Sequence, residues 1–91
     1  MAAIIMLHIF THTVTTSNAR GRYLTGVVFS DGAVSIDDSR TSKWDTAVKR
    51  ACDHGANGFV HDTHTDTTYT VVTDYRDGEA VQAGWVRRHN Q

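Results

Sequence analysis

The chain has 91 residues, a formal net charge of −1 and a single cysteine, Cys52. That length suits one domain near the lower limit of what buries an adequate core, and one thiol excludes both an intrachain disulfide and a cysteine zinc cage, which fits a reducing, cytoplasmic setting. The near balance of charge gives no reason to expect nucleic acid or acidic lipid as a partner, and no run approaches the roughly 18 apolar residues of a membrane span.

Threonine occurs 13 times against one glutamate and two lysines, so the composition favours strands over helices. The opening Met1-Ala-Ala-Ile-Ile-Met-Leu7 is apolar but lacks a basic leader and a small-residue cleavage site, so it reads as strand rather than signal peptide. From Ala3 to about Thr15, Ile5, Leu7 and Ile9 alternate with Ile4, Met6, His8 and Phe10. Apolar on both faces, this segment predicts one long strand central to a sheet, with His8 and His12 sharing a face. In the connection 16–22, Arg20 and Arg22 flank a glycine beside Ser17 and Asn18, a set suited to a phosphate or nucleotide through charge-assisted bonds. No P-loop pattern supports that reading, and the plainer one is a solvated connection.

Tyr23 to Ile36 alternates around Asp31-Gly32, a hairpin signature; a two-residue loop pairs Phe29 with Val34 and Val27 with Ile36, all four facing the core. A helix follows, capped by Ser42 with Asp45 three residues on. Trp44, Ala47, Val48, Ala51 and Cys52 form its apolar stripe, and His54-Gly55 closes it. Cys52 lies on that stripe, where burial makes a thiol inert. Neither a serine elbow nor a separated carboxylate pair is present, so the reading is non-enzymatic.

The residues "GVVFSDGAVSI…W…HGANG", spanning Gly26 to Gly58, resemble small β-rich domains of unassigned role in actinobacterial and phage proteins. In these a strand–Asp-Gly–strand hairpin is followed by a helix and a His-Gly turn. The resemblance implies a phage-type origin and carries no functional residues with it.

The stretch "HDTHTD", residues 61–66, holds two histidines and two aspartates. If extended, Asp62, His64 and Asp66 share one face and offer donors to Zn, Mn or Mg. The plainer reading, which we prefer, is an exposed acidic recognition loop leading into the next strand. Thr68 to Val86 is a second hairpin around Asp77-Gly78, pairing Val72 with Ala83 and Thr70 with Trp85, while Tyr69, Val71 and Val86 take the opposite face.

These elements predict an α+β fold: an antiparallel sheet of about five strands with a single helix packed on one face, in the order β-β-β-α-β-β. The function expected is a small protein-binding module that needs no cofactor, and the phage-type resemblance implies an inhibitor of a host antiviral-defence protein. Its contacts are expected at Asp62, His64, Asp66, Arg20, Arg22, Tyr75 and Trp85, against a basic protein surface, with an uncovered aromatic face available for a homodimer. The alternative is a binder of a nucleotide or phosphate through Arg20 and Arg22, or of a divalent metal through Asp62, His64 and Asp66.

Overall fold

The computed structural model describes residues 4–17 and 20–89. Among these residues, alternating β-branched and apolar side chains give seven strands around one helix: β1 (Ile4–Ile9), β2 (His12–Ser17), β3 (Tyr23–Val28), β4 (Val34–Ile36), α1 (Trp44–Asp53), β5 (Gly58–Asp62), β6 (Thr67–Arg76) and β7 (Glu79–Arg88). Five of the strands form an antiparallel sheet in the order β4-β3-β5-β6-β7, with α1 on one face, so the fold is α+β as the pattern of elements predicts.

Strand β5 lies at the centre and is buried along its whole length. Successive strand residues point to opposite faces, and Phe59 and Val60, both fully buried, accordingly belong to different cores. Phe59 packs with Leu7, Ile9 and Leu24, and Val60 packs with Ala47, Ala51 and Val71. The molecule is therefore layered: the β1–β2 hairpin, the five-stranded sheet, then the helix. The alanines at 47 and 51 let α1 approach the sheet closely, while Tyr23, Trp44 and Tyr69 form an edge-to-face cluster at its start, with ring centroids 5.3 and 5.0 Å apart.

The first strand departs from expectation. Ala3 to Thr15 is not one central strand; it breaks at Phe10-Thr11 into β1 and β2, paired antiparallel as a separate two-stranded sheet. Phe10 adopts a positive φ of 55° there, an uncommon conformation for an aromatic residue. Its ring is held edge-to-face on Phe59 and His89, at 5.4 and 4.9 Å, so tertiary packing fixes a turn that carries no Asn-Gly or Asp-Gly signal. His8 and His12 consequently lie on opposite arms of a hairpin.

Both later hairpins form, each with a corrected register. In the first, Val28 rather than Phe29 pairs with Val34, and Gly26 rather than Val27 pairs with Ile36. The loop has three residues, Ser30-Asp31-Gly32, with Gly32 at φ 89°, the Phe29 carbonyl accepting from Gly32 N–H, and Asp31 Oδ1 accepting from Ala33 N–H. That one-residue change leaves Phe29 about half exposed instead of in the core. In the second, Asp77-Gly78 is the expected two-residue turn, but Val72 faces three residues of β7, since Thr73 pairs with Gln82 and Val71 with Val86. The bulge, with Gly84 at φ 82°, moves Thr70 opposite Arg87 instead of Trp85. Tyr69, Val71 and Val86 do pack together on the helix side. The helix cap falls one residue after the expected Ser42: Lys43 is the N-cap residue and makes no side-chain cap, while Thr41 Oγ1 accepts from Lys43 N–H. Asp45 in the first turn still complements the helix dipole.

Candidate functional site

Residues 61–66 do not run extended. His61 and Asp62 end β5, residues 63–66 turn, and Thr67 opens β6 opposite Asp62, with Asp66 at φ 52°. The three expected metal ligands are thereby separated. Asp62 is 4% exposed and receives both Nε and Nη2 of Arg22, at 2.8 and 2.7 Å, and the His64 N–H at 2.9 Å. The Arg22 guanidinium, outweighing the effect of burial, holds the Asp62 carboxyl down at about 2. Asp66 turns the other way, toward His8 and His61. The His64 side chain is exposed, and among the described residues no group of three His, Cys, Asp or Glu side chains converges as a cation would require.

What the sequence did not disclose is the role of His61. It is fully buried, its Nε2 lies 2.7 Å from Asp66 Oδ1, and its Nδ1 lies 2.9 Å from Thr68 Oγ1. Burial lowers its pKa despite the neighbouring aspartates, which favours the neutral ring; because the Asp66 carboxylate only accepts, the tautomer that fits donates from Nε2 to Asp66 and accepts at Nδ1 from the Thr68 hydroxyl. Asp66 also accepts from the His8 backbone N–H at 2.9 Å and meets His8 Nδ1 at 2.5 Å. Burial raises the Asp66 pKa, but these histidine contacts outweigh it and the net displacement is downward. The chain Thr68–His61–Asp66–His8 thus ties β1 to the β5–β6 turn. A similar tie joins Asp37 to Thr25 (2.6 Å) and to His54 at the end of α1 (2.9 Å).

The arginine loop is also rearranged. Arg22 is committed to Asp62 through two of its nitrogens, so Arg20 and Arg22 do not form an anion clamp; Arg20 is exposed. Asn18 lies outside the described residues.

Among the described residues, accessible apolar material lies in two places: Ile4 and Met6 on β1, with Phe29 at the first hairpin loop, and a second group on the helix side. Trp44, Val48 and Cys52 of α1 and Gly84, Trp85 and Val86 of β7 line a groove of about 540 Å³. Asp45, Lys49 and Asp53 stand at its rim, where Lys49 pairs with Asp53 at 3.2 Å and leaves the Asp45 charge in excess. Trp85 is 51% exposed, and Tyr75, further along β6, is 75% exposed. The bulge creates this arrangement, because it inserts two residues into β7 just where the strand passes the helix. Burial raises the pKa of the Cys52 thiol, which favours the protonated form over the nucleophilic thiolate. No protein-family model matches the chain, and neither a characterised protein nor a solved structure gives a significant match.

Proposed function

We propose that the protein is a non-enzymatic protein-binding module whose docking site is the groove between α1 and the β7 bulge. The observation that carries this reading is the pair of tryptophans, Trp44 and Trp85, left partly exposed on the two walls of a groove whose lining mixes apolar and charged side chains. Tryptophan in a pocket is typical material for a binding hot spot. The Asp45 carboxylate at the rim favours a partner segment that offers an apolar side chain beside a basic one. Asp37, His61, Asp62 and Asp66 each make hydrogen bonds that hold the fold together, which is the role this reading gives them. The sequence resemblance extends the proposal to a phage-encoded inhibitor that occupies a host defence protein.

The test is affinity capture followed by calorimetry with the purified partner. Trp85→Ala is expected to weaken that complex by about 2 kcal/mol or more, whereas Asp66→Asn, in the loop on the other side, leaves affinity unchanged. Equal affinity of wild type and Trp85→Ala would remove the groove as the contact.

A further inference from the structure

We propose that the outer edge of β7 pairs antiparallel with the same edge of a second copy of this chain, about a two-fold axis near Gln82, setting Glu79 of each copy opposite Arg87 of the other. Strand β7 ends the five-stranded sheet and, among the described residues, runs for ten residues without a neighbour on its outer side. The other edge, β4, has only three residues and is a poor template. An open edge presents unpaired N–H and C=O groups to any incoming strand, and proteins usually guard it with charge or proline. Residues 80–86, Ala-Val-Gln-Ala-Gly-Trp-Val, contain neither, and the bulge opposite Val72 is the one guard within them.

The charges sit at the two ends with opposite signs: Glu79 exposed at the hairpin tip, Arg87 exposed at the base. A strand charged in this way complements itself when antiparallel and repels itself when parallel and in register. The faces also match. Gln82 pairs with Thr73 and Val86 with Val71, so positions 82 and 86 are in phase. Glu79, three before one, and Arg87, one after the other, therefore share a face, as directly opposed residues must. Gly84 lies next to the axis, and a Cβ there would meet nothing within 4 Å, so the bulge leaves room where the two strands cross. Such an interface uses the same patch on both copies and closes at two subunits. It does not depend on the partner of the tryptophan groove, although β7 forms a wall of both.

The experiment is sedimentation velocity on the full chain over a concentration series, with Glu79→Arg, Arg87→Glu and an equimolar mixture of the two. Wild type is expected to self-associate to a dimer, and each single reversal to weaken association about tenfold or more. The mixture is expected to recover it, because Glu79→Arg and Arg87→Glu chains turn both like-charge pairs into opposite ones. That recovery also shows that both variants fold. A monomeric wild type, single variants that dimerise as wild type does, or a mixture no tighter than its components would each overturn the proposal.

Discussion

Arg22 and Asp62 show how one ion pair can look like a functional site in sequence. The carboxylate is nearly buried and the guanidinium partly exposed, so the two are not equivalent: removing Arg22 strands a buried charge, whereas removing Asp62 returns an arginine to water. Arg22→Ala is therefore expected to be the more destabilising change. Because the folded-state pKa of Asp62 lies below its ordinary value of 3.8, its stabilisation is present above that value and is lost as pH falls toward about 2. Urea midpoints measured from pH 5 to pH 2 should show this acid limb, and Asp62→Asn should flatten it at a cost near neutrality of about 1–2 kcal/mol, reduced by solvent at Arg22. A metal site was the alternative reading of these residues, and the separate bonding of Asp62 and Asp66 is what dissolves it.

At the scale of elements, the β7 bulge has the widest consequences, since it sets the register of the last hairpin and exposes Trp85. It depends on the backbone of Gly84 rather than on space around it. Gly84→Val is expected to cost about 1–2 kcal/mol, because a β-branched residue resists the left-handed conformation. Gly84→Asn, which tolerates that conformation, should cost less; thermal unfolding of the two variants checks the order. The helix stripe and the Asp77-Gly78 turn were legible in sequence, since each rests on local periodicity or turn chemistry. The break at Phe10-Thr11, the three-residue loop at Ser30–Gly32 and the bulge were not. Each is decided by packing or backbone geometry that alternation does not encode, and a period-two pattern reads the same on either side of a missed turn. His61 escaped notice for the same reason, as its burial depends on a hairpin that the pattern presented as one strand. Trp85 and Tyr75 were legible as exposed aromatics, though the groove beside Trp85 was not.

In the whole molecule, two sheets face each other across Leu7, Ile9, Leu24 and Phe59, and the Thr68–His61–Asp66–His8 chain fastens their margin. His61 has a lowered folded-state pKa, so its contribution is complete above the ordinary imidazole value of 6.5 and declines as pH falls below it, where the unfolded chain takes up the proton more readily. Global stability by urea denaturation should therefore decrease between pH 6.5 and 5, and His61→Gln, which keeps polar reach without titrating, should remove that slope. The layered order also governs assembly. The β1–β2 hairpin is local and can form as soon as it is made, but the residues that cover its inner face include Phe59 and His61, far along the chain. Such distant contacts must wait for loop closure. The hairpin therefore holds Leu7 and Ile9 uncovered until β5 arrives, and during synthesis its apolar face is the part of the molecule most dependent on rapid completion of the rest.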